Sequence, residues 1–418
     1  MRVSRRRLVQ GLGAALAAAA LPLRRARGDG SVERKFLFIF CPGGWDPAWA
    51  LAPVFGSVAT MPDGAVLGSV GGIDFVDNPA SPAVKAFFTA NAAQSALLHG
   101  VEARSVAHDV CLRLILTGSN LPGRDDWPLL LAALGTQPRI MPYVNLSGPV
   151  YAGPNVDALV RVGQSGQLAS LLDGSATLGA DAPVGLPSAA STTAVDAALA
   201  RRLVRLQTAA SAGRAATVAA SAALAEERRI ALLAQAEDLD LAGGDTLAER
   251  AELALECLQR GLSRVAMVEY YGHRGLTWDT HGANTNQGGS YEELFTALSG
   301  VVASLEARPG EASATLAEEV CVVVMSEMGR FPTLNSRQGK EHWTYTSTLL
   351  FGAGVRGGRS VGGYDAETYL GAPVDLDEGG PGDTPLTPGH LGATLLTLGG
   401  HDSAEQLPDE APIRAVVT

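Results

Sequence analysis

Six short apolar runs set the limits on what this chain can fold into. They are "KFLFIFCPGG" (35–44), "SALLHGV" (95–101), "RIMPYVNLSG" (139–148), "SRVAMVEYYG" (263–272), "EVCVVVMSEMG" (319–329) and "STLLFGAG" (347–354). Their apolar character is continuous rather than alternating. A strand with one face in water alternates with period two, so a continuous run implies a strand covered on both faces, as in a mostly parallel sheet.

Helical patterns lie between the runs. "SPAVKAFFTANAAQ" places Ser81 as N-cap and Pro82 at the first helical position, where its missing donor is not needed. "TLAERAELALECLQRGLS" opens with a capping box, Thr246 and Glu249, and sets Leu247, Ala251, Ala254, Leu255, Leu258 and Leu262 on one face. "TPGHLGATLLTLGG" repeats the Thr-Pro start. Alternating strands and helices predict a three-layer α/β/α sandwich. The region of about 195–240 has no strand signal and is rich in Ala, Arg and Glu. It predicts one or two long helices inserted into an α/β domain that spans 33–418. The glycine-rich "GAGVRGGRSVGGYD" lacks the lysine and helix start of a phosphate loop and reads as turns around a strand.

The 418 residues carry a formal net charge of −11, which opposes nucleic-acid binding because phosphate recognition needs a positive field. No internal run approaches the roughly 20 apolar residues that span a bilayer, so no stable membrane anchor is expected once the first segment is removed. That segment, residues 1–28, joins Arg5–Arg6 to a short Ala- and Gly-rich apolar core. It reads as a twin-arginine export signal, which implies the export machinery as a partner and a periplasmic or secreted protein. The four cysteines, at 41, 111, 257 and 321, include no Cys-x-x-Cys, and free, buried thiols are expected.

In an open α/β sheet, ligands bind beyond the carboxyl ends of the strands, and polar clusters follow the runs there. Asp46 follows the first run and Asp279 with His281 follows the fourth. Glu327 and Arg330 follow the fifth, with His342 a little later in "GKEHW", and Ser105 and His108 follow the second. In an extended segment residues i and i+2 point the same way, so Asp279 and His281 could reach one ion. Carboxylate with imidazole suits Zn²⁺ or Mn²⁺, and an all-oxygen set would favour Mg²⁺ or Ca²⁺. The expectation is one or two divalent ions held by Asp46, Asp279, His281, Glu327 and His342. Arg330 could neutralise an anionic oxygen or serve a structural pair. Trp45 and Trp278 could wall a substrate or sit in the core. Asn284 and Asn335 are candidates to line the cleft.

Taken in order, "PGGWD", "AH" before "LILTGSN", "WDTHGAN", "VVVMSEMGRFPTLN", "GKEHW" and "TPGHLGATLLTLGG" resemble the exported bacterial family called domain of unknown function 1501, grouped with the alkaline phosphatases and sulfatases. The resemblance implies a bimetal centre whose ligands begin with an Asp after the first strand. Asp46 matches that Asp, and Asp279 with His281 match the middle pair. Glu327 stands in a Ser-Glu-Met-Gly similar to the superfamily's Ser-Asp-His-Gly, with Met328 where a histidine would be. His342 matches the last ligand. The Cys-x-Pro-Ser-Arg nucleophile run of ordinary sulfatases is absent, and its position falls on His108.

His108 then has three readings: a ligand filling the place lost at Met328, a nucleophile or general base, or a structural histidine. Ser105 is the fallback hydroxyl nucleophile. The function expected is an exported metal-dependent hydrolase of a small anionic or glycan phosphate or sulfate ester. The alternative is a non-catalytic envelope binding or assembly protein that retains the fold.

Overall fold

The computed structural model describes residues 32–162, 189–209, 211–235 and 244–418. The predicted export signal lies outside the described residues. Eight strands form the central sheet: β1 (Lys35–Phe40), β2 (Ser95–Glu102), β3 (Tyr143–Asn145), β4 (Leu159–Arg161), β5 (Val265–Glu269), β6 (Val320–Met325), β7 (Tyr345–Gly352) and β8 (Arg359–Val361). Their spatial order is β8-β2-β7-β6-β1-β5-β3-β4. β1 pairs in parallel with both β5 and β6, whereas β7 runs antiparallel to both β2 and β6. One strand therefore runs against the other seven. The sheet is mostly parallel, as the continuous runs require, and the short edge strand β8 forms within the glycine-rich stretch read as turns around a strand.

The two faces of the sheet explain the runs. Leu37, Ile39, Ala266, Val268, Val322 and Val324 face one layer, with α1 (Pro82–Asn91), α6 (Leu247–Gln259) and α7 (Asn286–Ala307) packed against them. The alternate residues Phe36, Phe38, Phe40, Val265, Met267, Val323 and Met325 face the other. That layer holds α2 (His108–Thr117), α3 (Trp127–Ala133) and α8 (Pro388–Leu398). Each of the larger of these side chains (Val, Leu, Ile, Phe and Met), fully buried, contributes about 1.5–3 kcal/mol by leaving water. The molecule is thus a three-layer α/β/α sandwich.

The Thr246–Glu249 capping box opens α6 as its sequence predicts, and Thr387 caps α8. Ser81 stands at the N-cap of α1 but makes no capping hydrogen bond. In the compositionally distinct region, α4 (Ala189–Ala209) and α5 (Ala212–Gln235) are long helices. All four cysteines are free and buried. No described helix is long and apolar enough to cross a membrane.

Candidate metal centre

Four chain segments meet at one rim of the sheet. His108 is the first residue of α2, shortly after β2; Asp279 and His281 follow β5; Glu327 follows β6. His342 arrives by a different route. It precedes β7, and because β7 is reversed its start lies at the rim where the other strands end. A short antiparallel ladder, His342 opposite Arg330 and Trp343 opposite Gly329, holds it there.

Ligand atoms of His108, Asp279 and His342 all lie within 4.8 Å of one another. His342 Nε2 is 3.2 Å from Asp279 Oδ1, and His108 Nε2 is 3.6 Å from Asp279 Oδ2. His281 joins them, with Nε2 at 3.2 Å from Asp279 Oδ1 and 2.9 Å from His342 Nε2. These four side chains are between 21% and 35% exposed, so the atoms at the centre are within reach of solvent.

The outer ring nitrogens are held from behind. His108 Nδ1 lies 2.8 Å from Glu327 Oε1, His342 Nδ1 lies 2.7 Å from the Val106 carbonyl, and His281 Nδ1 lies 2.7 Å from Glu341 Oε2. A carbonyl and a carboxylate only accept, so Nδ1 of His108 and of His342 carries a proton; with a metal ion bound, each inward Nε2 would give up any proton and offer its lone pair. The Nε2 atoms of His281 and His342 share a hydrogen bond at 2.9 Å, so without metal one of them carries the proton that joins the two, and a metal cation could take that proton's place. Imidazoles fixed by an outer carboxylate or carbonyl are what metal sites use to orient ligands. Three imidazoles with one carboxylate suit Zn²⁺ or Mn²⁺ better than the oxygen-seeking Mg²⁺ or Ca²⁺. The residues present fit a metal ion.

Without a metal ion the surrounding carboxylates favour a protonated His108. Asp279 first and Glu327 second raise the pKa of His108 to about 9. Burial alone would raise Asp279, but His108 and Arg330 outweigh it and hold the carboxyl well below its ordinary range.

Several residues take places other than those expected. Glu327, expected as a ligand, stands one shell out. Its Oε1 accepts from the Gly43 N–H at 2.8 Å as well as facing His108, and its Oε2 accepts from Ser326. Asp46 does not join the imidazoles, because it is fully buried in an ion pair with Lys340. Arg330, expected to meet an anion, is fully buried with its donors taken. Nε donates to the Gly44 carbonyl at 2.7 Å and Nη1 to the Lys340 carbonyl at 3.1 Å. Nη2 donates to the Gly43 carbonyl and, at 2.5 Å, to Asp279 Oδ1. It positions Asp279.

Trp45 and Trp278 are core residues at 1% and 0% exposure, packed edge to face, and cannot stack on a substrate. Asn284 is buried and donates to Asp46, while Asn335 donates to the His281 carbonyl and to Glu341. Ser105 Oγ accepts from the Ala107 N–H at the start of α2. Met328 is fully buried with Ala103 and Cys111.

The backbone approaches closely where Gly43 passes the site. Its φ is +115°, and a Cβ there would lie 2.8 Å from the Asp279 nitrogen, so only glycine fits. Lys340 and Gln287 had no sequence signal. Glu341 lay in the same short motif as His342.

Fold and site define an α/β/α sandwich with a histidine-rich candidate metal centre at the strand-end rim. The sequence matches the family described as "Protein of unknown function (DUF1501)" over residues 88–405, and the chain belongs to that family. Among curated proteins none matches.

Solved structures with a similar fold include Ps i-CgsB in complex with k-i-k-neocarrahexaose (9% identity, TM-score 0.40, covering 91% of this chain and 75% of that one). Ps i-CgsB without that ligand matches at 10% identity and TM-score 0.38, over 91% and 75%. A protein in the alkaline phosphatase superfamily from Vibrio parahaemolyticus matches at 10% identity and TM-score 0.39, over 88% and 67%. Likeness at this level carries nothing about substrate.

Proposed function

We propose that this protein is an exported metal-dependent hydrolase of a phosphate or sulfate ester. The observation that carries the reading is the convergence of three imidazole Nε2 atoms on the Asp279 carboxylate, each ring held from behind by Glu327, the Val106 carbonyl or Glu341. Export rests on the Arg5–Arg6 segment.

In this reading His108, Asp279, His342 and His281 hold one divalent ion, which when bound supplies Lewis acidity to the ester oxygens. Arg330 fixes Asp279, and Glu327 fixes the His108 ring. Glu341, half exposed and 2.7 Å from His281 Nδ1, steadies the His281 ring and is the carboxylate placed to exchange a proton with water. Candidate side-chain nucleophiles are poorly placed. Ser326 is buried, Ser105 is engaged at the helix start, and burial raises the Cys111 thiol to about 11. Water is therefore the proposed nucleophile, in a direct displacement.

The same scarcity of nucleophiles favours the second reading, a non-catalytic envelope binding or assembly protein. Elemental analysis of purified protein, with turnover assays on aryl phosphate, phosphodiester and sulfate esters, separates the two. Turnover by wild type that Asp279→Ala and His108→Ala abolish supports the hydrolase. Stoichiometric metal with no turnover on any ester supports the binder, and no metal at all defeats the metal centre.

A further inference from the structure

Asp46 meets a cation that the chain itself carries. Lys340 Nζ lies 2.7 Å from Asp46 Oδ2, and both side chains are fully buried. Asn284 Nδ2 donates to the same oxygen at 2.8 Å, and the Ala48 N–H donates to Oδ1 at 3.2 Å. The ammonium also donates to the Thr60 carbonyl at 3.1 Å. A positive charge set among a carboxylate, a backbone carbonyl and an amide-braced pocket has the oxygen surroundings that a hard cation takes.

This pair is wired to the imidazole centre. The Lys340 carbonyl accepts from Arg330, whose guanidinium also holds Asp279. The Lys340 N–H donates to the carbonyl of Thr280, the residue after Asp279. From the other side, the Asp46 N–H donates to Gln287 Oε1, and Gln287 Nε2 donates to the Trp278 carbonyl and to Thr280 Oγ1. The backbone groups of Asp46 and Lys340, rather than their side chains, therefore brace the loop that presents Asp279 and His281.

Taken with the expectation of up to two divalent ions, the donor set fits one and disagrees with the other. Asp279 pairs with Arg330 yet stays 35% exposed among three imidazole Nε2 atoms, whereas Asp46 is fully buried with its Oδ2 closed off by the Lys340 ammonium and Asn284. We infer that the Lys340 ammonium stands in place of a second divalent ion, so that the centre is built for a single metal at the imidazoles. A tethered ammonium cannot dissociate or exchange, so the Asp46 half keeps its charge balance whatever the metal supply. The inference rests on the proposed reading for the first ion.

The test is metal stoichiometry, read by elemental analysis after equilibrating the purified protein with Zn²⁺ or Mn²⁺ and removing free metal. Wild type should hold one equivalent. Lys340→Ala should gain a second, oxygen-type site that takes up Mn²⁺ or Ca²⁺ and is lost again when Asp46→Asn is added. Should Lys340→Ala fail to fold, the pair Asp46→Asn with Lys340→Met leaves no buried charge, and it should keep one equivalent at wild-type affinity. Two equivalents in wild type overturn this inference alone, as does a folded Lys340→Ala with one. Loss of the single metal from the double variant, by about tenfold or more in affinity, also overturns it. Wild type with no metal would bring down the parent reading and this one together.

Discussion

His281 and His342 face each other through their Nε2 atoms at 2.9 Å, each with its Nδ1 turned to an acceptor. One proton shared between the two Nε2 atoms makes that contact a hydrogen bond, and a cation that displaces this proton would meet both lone pairs at once.

His342→Ala removes one of the two rings and a ligand at once. It should abolish stoichiometric metal binding by elemental analysis while leaving the far-ultraviolet circular dichroism unchanged. Full metal content in this variant would exclude His342 from the centre.

In the proposed centre Glu327 would act through the His108 ring, whose Nδ1 it faces at 2.8 Å, rather than on the ion. Glu327→Gln keeps an oxygen that can accept from Nδ1–H but removes the charge, and it should weaken metal affinity by about 10- to 100-fold. The readout is a competition titration against a chelator. An unchanged affinity would show that His108 needs no carboxylate behind it.

Arg330 ties Asp279 to the Gly43 and Gly44 carbonyls from a fully buried position. Arg330→Met leaves the buried Gly44 carbonyl unpaired and takes the cation from the partly exposed Asp279, at a cost of about 1–3 kcal/mol. Chemical denaturation should show that loss, and a surface anion-binding arginine would not.

Asp126 gives the fold a pH dependence remote from the metal centre. Burial pushes its carboxyl up to about 7, against the pull of the Tyr151 and Leu129 N–H groups. The unfolded chain titrates it near the ordinary value of about 3.9, so between those values the native state holds more protons. Stability from this group is complete below about pH 4 and falls as pH rises towards 7. Asp126→Asn stays neutral throughout. Wild type should therefore lose stability relative to this variant across that window, at about 1.4 kcal/mol per unit of pKa difference. Parallel melting-temperature curves from pH 4 to 8 would contradict it.

The sheet was legible because residues such as Phe38 and Ile39, neighbours in β1, enter opposite cores, and that double burial writes a continuous apolar run. The reversal of β7 was not, since a strand covered on both faces reads alike in either direction. Strand-end reasoning brought His108, Asp279, His281, Glu327 and His342 to one rim. It could not separate Asp279, which faces the ring nitrogens, from Glu327, which faces the back of one ring. Both are single carboxylates after an apolar run, and only folded distances divide them. Lys340 was missed because "GKEHW" looks like an ordinary polar turn. Nothing local announces that its ammonium ends fully buried against a carboxylate 294 positions earlier.

The backward course of β7 has a consequence for assembly. His342 enters the centre from the leading end of a strand, so the imidazole cluster stays incomplete until β7 is seated between β2 and β6. A chain in which β7 has not paired can own every other donor and still lack the His342 ring at the centre. Capture of metal would then report that the sheet has closed.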